Sequence, residues 1–228
     1  MIQHVYERAR ESLAEEVIIA TDDERISACA LSFGASVQMT SSDHRSGTDR
    51  LAQVVRERDE PGHGIVVNVQ GDEPMMAPEL INQVAALLDT KTDACMSTLC
   101  EPLVDANDLF DPGVVKVVRD EAGYALYFSR APIPWHRDDF AKSPERLPTK
   151  PTYYRHLGIY AYRVRYLLEF VEMPASDLEL AESLEQLRVL SNGGRIAVAL
   201  GAHSSGPGVD TPHDLDHVRT LFAAGGAR

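Results

Sequence analysis

The chain has 228 residues, of which 44% are hydrophobic, 25% charged and 7% aromatic, a balance that fits a globular domain and excludes disordered and collagen-like architectures. Asp plus Glu number 35 against 22 Lys plus Arg, for a formal net charge of −13. No basic block interrupts that excess, so no nucleic-acid partner is expected, because phosphate-backbone affinity rests on clustered positive charge. Of the 22 cations 18 are Arg, the better bidentate clamp for carboxylate and phosphate, which favours small anionic ligands. Cys29, Cys95 and Cys100 are odd in number and lack metal-finger spacing, which argues against a disulfide framework or structural zinc and suits a cytoplasmic location. No run approaches the roughly 18 apolar residues of a membrane helix, and Glu7, Arg8, Arg10 and Glu11 stand where a signal-peptide core would lie. No membrane partner is expected.

In chain order, Ile2, Val5, Tyr6, Ala9 and Leu13 recur at helical spacing, and Glu16 to Ala20 reads as a short buried strand. Asp22 or Asp23 can cap a helix from Arg25 to Phe33, ended by Gly34, and Ala35 to Met39 is a further strand. Leu51 to Arg58 is helical, Ile65 to Val69 a strand, Pro78 to Leu88 a helix with Pro in its first turn, and Ala94 to Leu99 a strand. Such alternation with short connections predicts an α/β domain with a largely parallel sheet covered on both faces. From Val114 to Val118 the pattern changes, and Tyr124 to Phe128 and His156 to Tyr162 read as strands around a loop, Pro134 to Thr152, holding four prolines. That loop suits either a mobile excursion over a site or a plain surface connection. Glu179 to Leu190 reads as one helix, Ile196 to Leu200 as a strand, and Pro212 to Phe222 as a closing helix capped by Thr211.

The segment Val66-Val-Asn-Val-Gln-Gly-Asp-Glu-Pro74 runs a hydrophobic strand straight into Gln70, Gly71, Asp72 and Glu73, at the carboxyl edge where open α/β sheets bind ligands. A carboxylate there can hold Mg²⁺ against phosphate oxygens, although Asp72-Glu-Pro74 also suits a turn and helix cap. Asp210, in Gly206-Pro-Gly-Val-Asp-Thr-Pro212, is a second acidic candidate, and spacing alone does not bring the two together. Asp43 to Arg50 packs Ser46, Gly47 and two arginines before a helix, suiting a base-edge or anion contact or an ordinary capped loop. Arg130 follows an aromatic strand and could clamp a carboxylate, while His156 and Tyr160, four apart on a strand, share a face. Both could bond a polyol or be structural. Glu185 and Gln186 fall inside the amphipathic helix from Glu179, where solvated positions are expected.

Val69-Gln-Gly-Asp-Glu-Pro74, Tyr127-Phe-Ser-Arg-Ala-Pro-Ile-Pro-Trp135, Arg155-His-Leu-Gly-Ile-Tyr160, Leu184-Glu-Gln-Leu-Arg188 and Gly208-Val-Asp-Thr-Pro212 together resemble the 3-deoxy-manno-octulosonate (Kdo) cytidylyltransferase family, the CMP-Kdo synthetases. The similarity spans nearly the whole chain in the same order. It implies a Rossmann-like, three-layer α/β/α nucleotidyltransferase with a mostly parallel central sheet, acting as a homodimer on CTP and Kdo to give CMP-Kdo and pyrophosphate for lipopolysaccharide. Residues about 114–165 of the single domain would then form a dimerisation and sugar-binding excursion. Carried over by position, Asp72 and Asp210 would be the catalytic Mg²⁺ ligands, and Arg50, Gln70, Arg130, His156, Tyr160, Glu185 and Gln186 would line the sugar-acid pocket. Ala20, Asp22, Ser46, Gly47 and Gln70 would lie near the cytidine nucleotide. A sibling acting on another acidic sugar, such as 8-amino-Kdo or sialic acid, and a silent dimeric relative are the alternatives. The family opens with a strand and a basic glycine-containing loop that wraps the CTP phosphates, whereas this sequence opens in what resembles the following helix. Met1 is therefore expected to be an internal methionine, and a chain lacking the loop to be weak or inactive.

Overall fold

The computed structural model describes residues 1–142, 146–203 and 205–224. Its elements in order are α1 (Ile2–Arg10), β1 (Ile18–Thr21), α2 (Glu24–Ser32), β2 (Ser36–Met39), α3 (Gly47–Glu57), β3 (Ile65–Asn68), α4 (Pro78–Thr90), β4 (Met96–Pro102) and α5 (Ala106–Phe110). There follow β5 (Lys116–Arg119), β6 (Ala125–Ser129), α6 (Arg137–Phe140), β7 (Tyr154–Arg163), α7 (Val164–Phe170), α8 (Asp177–Glu182), α9 (Leu187–Ser191), β8 (Ile196–Leu200) and α10 (Pro212–Ala223).

β1 and β2 form a small parallel pair, and the other six strands form one sheet in which β7 lies between β3 and β4. β4 and β8 pair in parallel, while β7 runs antiparallel to β3, β4 and β5. From those pairings β3, β4, β5 and β8 share one direction, against β6 and β7. The strand period of two sorts side chains to opposite faces. Met96, Cys100, Tyr162, Ile196 and Val198 pack with Ala52 and Val55 of α3, Leu167 and Phe170 of α7, and Leu187 of α9. Leu99, Leu157, Ile159, Ala161 and Ala197 point the other way, onto Ala9 of α1 and Leu80, Val84 and Leu88 of α4. The result is the expected α/β/α arrangement.

Local signals set most boundaries. Asp23, not Asp22, caps α2 by accepting from Arg25 N, Ser46 Oγ accepts from Asp49 N to start α3, and Thr211 with Asp214 closes a capping box on α10. Helix α1 stops at Arg10, short of Leu13, which is 85% exposed. The single helix expected from Glu179 to Leu190 is two: α8 ends at Ser183, in the left-handed region at φ 51 and ψ 48, and α9 starts at Leu187. Breaking there lets Leu184 and Leu187 both bury. The loop from Pro134 to Thr152 contains α6, whose Phe140 packs with Leu103, Leu109 and Tyr153; residues 143–145 of it lie outside the described set. Helices α5 and α7 carry no expectation from the sequence.

Candidate functional site

The carboxyl end of β3, the first turn of α3, the middle of β7 and the turn between α8 and α9 converge on a cavity of about 80 Å³. Its polar wall is Thr48, Asn68, Gln70, Tyr160, Glu185 and Gln186, and its apolar wall includes Met96, Tyr162 and Phe170. Strand order explains the meeting. Tyr160 is in register with Asn68 of β3 on one side and Thr98 of β4 on the other. The left-handed turn at Ser183 releases Glu185 and Gln186 from a helical face, so Gln186 is buried rather than solvated. Gly47 borders the same residues: a Cβ there would stand in ordinary contact, 3.7 Å from Asn68 Nδ2 and 3.8 Å from the Gln70 amide.

Glu185 accepts from Ser46 Oγ at 2.9 Å and from Thr48 Oγ1 at 2.6 Å, and Arg188 Nη2 lies 3.8 Å from Oε1. Both carboxylate oxygens of Glu185 act as acceptors here, so this end of the cavity presents acceptors. Tyr160 Oη is buried without a protein partner among the described residues, a state that costs free energy unless a ligand or water fills it. Its ring lies 5.1 Å from that of His156, so the two do share a face across the irregularity in β4–β7 pairing. His156 Nε2 is 2.9 Å from Thr98 Oγ1, and the Thr98 hydroxyl also lies 2.7 Å from Ile159 O. With its one proton given to that carbonyl, Thr98 takes the Nε2–H of a neutral ring. Burial holds His156 in that neutral form, pushing its pKa down to about 3.

Arg130 does not line the cavity. Its Nε donates to Glu182 O at 2.8 Å and its Nη1 to Pro112 O at 2.9 Å, while Glu182 Oε2 receives Arg130 N and Oε1 receives Ser129 Oγ. Lys116, fully buried, completes this frame by donating to Asp111 O, Val114 O and Arg130 O. Beside α3, Arg50 pairs with Asp22 at 3.2 Å and donates to Thr40 Oγ1. Asp22 follows β1, which carries Ala20 and Thr21. Ala20, Asp22, Arg50, Ser46 and Gly47 thus border one region, between β1 and the amino end of α3.

Asp72 and Asp210 act on a common neighbour. Val209 N donates to Asp72 O at 2.9 Å, and a Cβ at Gly208 would lie 3.3 Å from Glu73 Oε1. Burial, then Asp72, then Asp210 push the Glu73 pKa up to about 7, with Arg155 opposing them. The two carboxylates of Asp72 and Asp210 thus both repel the Glu73 carboxylate, each disfavouring its charged form. Among the described residues no three His, Cys, Asp or Glu side chains gather tightly enough to enclose a metal alone. Sequence reasoning missed Thr48 and Asn68; it placed Glu73 at the strand's carboxyl edge without assigning it a role.

An α/β sheet with an acidic cluster and a polar cavity at strand carboxyl ends is the frame of a nucleotidyltransferase. The sequence profile of the family described as Cytidylyltransferase matches residues 1–196. Relatives named 3-deoxy-manno-octulosonate cytidylyltransferase include one from Nitrosococcus oceani, 55% identical over 97% of this chain and 86% of that protein, and one from Cellvibrio japonicus, 55% identical over 99% and 89%. Among solved structures, a CMP:2-keto-3-deoxy-manno-octonic acid synthetase complexed with CTP superposes with a TM-score of 0.87 at 41% identity, covering 98% of this chain and 87% of that one. A 4-diphosphocytidyl-2C-methyl-D-erythritol synthase, at 12% identity and a TM-score of 0.57, shares the fold alone, over 97% and 89% of the two chains. The chain belongs to the cytidylyltransferase family and is a nucleotidyltransferase, with its high-identity relatives among the CMP-Kdo synthetases.

Proposed function

We propose that this protein transfers the cytidylyl group of CTP to the anomeric hydroxyl of Kdo. The new bond joins that oxygen to the α-phosphorus as its proton passes to solvent, the bond from the α-phosphorus to the bridging oxygen breaks with its electron pair going to pyrophosphate, and CMP-Kdo is the product. The observation that carries the reading is the cavity whose Gln70, Glu185 and Gln186 accompany an unsatisfied buried Tyr160 hydroxyl, a wall suited to a polyol. Glu185 accepts only, so it meets sugar hydroxyls and turns the ligand's own carboxylate away. Gln70 and Asp72 stand two residues apart after β3, so one short segment serves both the sugar and the phosphate side. That is alignment, the main source of rate in such a displacement. Asp72 and Asp210 would hold Mg²⁺, which when bound neutralises charge on the phosphate oxygens.

Neutral His156 is not a proton carrier in this scheme; its place beside Tyr160 gives it a binding role. Arg50, Ala20, Asp22, Ser46 and Gly47 would face the nucleotide, and Arg130, fixed to main-chain carbonyls, would approach the acid from outside the cavity. The same family membership supports a homodimer, a cytoplasmic location and supply of activated Kdo to lipopolysaccharide. No helix is long and apolar enough to cross a membrane. Pyrophosphate release with CTP, Mg²⁺ and Kdo, beside 8-amino-Kdo and sialic acid, tests the reading. Faster turnover of either alternative acid replaces Kdo as substrate; no release with any of the three rejects transfer by this chain.

A further inference from the structure

Thr48 has a hydroxyl that its own helix does not use. Ser46 caps α3, and Thr48, in the first turn, is 3% exposed and packed inside the protein. A valine would fill the same space with the same branching. Its single hydroxyl proton goes across the cavity to Glu185 Oε2 at 2.6 Å, a contact between residues 137 apart in sequence. Glu185 needs such a hold. It stands on the turn between α8 and α9, just after the left-handed Ser183, and the nearest cation, Arg188, is 3.8 Å away and committed to Glu179 at 2.5 Å. Ser46 Oγ supplies the other donor, to Oε1 at 2.9 Å, while accepting from Asp49 N at 3.2 Å. With one donor on each oxygen, the carboxylate is fixed in plane and each oxygen keeps a free lone pair toward the cavity.

The geometry points to Thr48 as a positioning residue for sugar-acid binding, its hydroxyl locking Glu185 from the helix whose first residues border the nucleotide region. The inference rests on the proposed transfer to Kdo and adds to it the residue that aims the acceptor. The pocket for the second substrate is thereby shaped by α3, so loss of one oxygen on α3 weakens the sugar and spares the nucleotide.

The test compares Thr48→Ser with Thr48→Ala in the full chain, since the two differ by one oxygen and leave nearly equal space. KM for Kdo and for CTP are read separately from pyrophosphate release, with melting curves to confirm that both variants fold. Thr48→Ala raises the KM for Kdo about tenfold over Thr48→Ser, as expected for one charge-assisted hydrogen bond, and leaves the KM for CTP within about twofold of it. Thr48→Ser stays near the unsubstituted protein. Equal Kdo constants in the two variants, or parallel rises for both substrates, overturn the positioning role. If Thr48→Ala does not fold, Thr48→Val against Thr48→Ser makes the same comparison with the methyl volume restored. Failure of the unsubstituted chain to turn over Kdo overturns the functional reading itself, and this inference with it.

Discussion

Replacing Lys116 by Met keeps the length of the side chain and removes its three donors. The ammonium of Lys116 has three protons and three carbonyl partners, Asp111 O at 2.8 Å, Val114 O at 2.5 Å and Arg130 O at 2.6 Å. Burial pulls its pKa down, and Asp111 and Glu182 oppose that pull. In the Lys116→Met protein each of the three carbonyls loses a donor, at about 1–3 kcal/mol apiece where water does not replace it. Against this stands the desolvation of the ammonium, several kcal/mol that the methionine no longer costs. At about 2 kcal/mol for each of the three carbonyls the loss is about 6 kcal/mol, and relief of about 3 kcal/mol from the ammonium's desolvation leaves a net destabilisation of about 3 kcal/mol. For a chain of this size that corresponds to a fall in Tm of roughly 6–12 °C. Thermal unfolding followed by circular dichroism measures it, and a Tm within about 2 °C of the parent would show that the carbonyls find other donors. Because Arg130 Nη1 rests on Pro112 O, between two of those carbonyls, the substitution should also loosen Arg130.

His156, with its pKa held at about 3 against an ordinary 6.5, makes folding sensitive to acid. The unfolded chain takes up the proton first, so the His156 contribution is level above pH 6.5 and falls as pH drops from 6.5 toward 3, by at most about 5 kcal/mol, whereas Glu73, raised to about 7, contributes with the opposite sign below pH 7. Urea unfolding across that range should show a shallower decline in His156→Gln, and parallel curves would refute the assignment. Under the proposed function, EDTA stops pyrophosphate release and added Mg²⁺ restores it. Asp72→Asn and Asp210→Asn should then each raise the Mg²⁺ concentration for half-maximal rate by about tenfold or more, and an unchanged requirement would remove that residue from the metal. Ser183→Val places a β-branched residue at φ 51 and should cost at least about 1 kcal/mol, whereas Ser183→Gly should cost nothing; equal melting curves would contradict the strained backbone.

Alternation of short apolar strands with capped helices was readable because its causes are local. Pro78, Asp23, Thr211 and the β8 run from Ile196 each act within a few residues. The break between α8 and α9 was not readable: helical periodicity continues through Glu182 to Leu187, and Ser183 takes a left-handed conformation without glycine to announce it. That one turn decides whether Glu185 and Gln186 meet solvent or a cavity. Tyr160 and Gln70 were legible as chemistry-bearing residues, but their neighbourhood depends on β7 entering between β3 and β4, a long-range choice that no local pattern encodes. Lys116, in Val114-Val-Lys-Val-Val118, reads as an isolated charge in a strand, and only the carbonyls of three separate positions make its burial tolerable. Asp72 and Asp210 were singled out separately, and their shared influence on Glu73 is a property of the folded chain.

The placement of β7 also sets an order of events during synthesis. β3 and β4 are consecutive strands, yet among the described residues they do not pair with each other; each pairs with β7. A ribosome adding about 5–20 residues per second needs several seconds to pass from the end of β4 to the end of β7. For that interval two apolar strands face each other across an open slot, with unpaired amide and carbonyl groups on both rims. The rims that await β7 therefore stay open to association with other chains until Arg163 has emerged, and the far edge of β4 until β8 follows; a slow stretch of translation between residues 102 and 163 would lengthen that exposure without altering the finished structure.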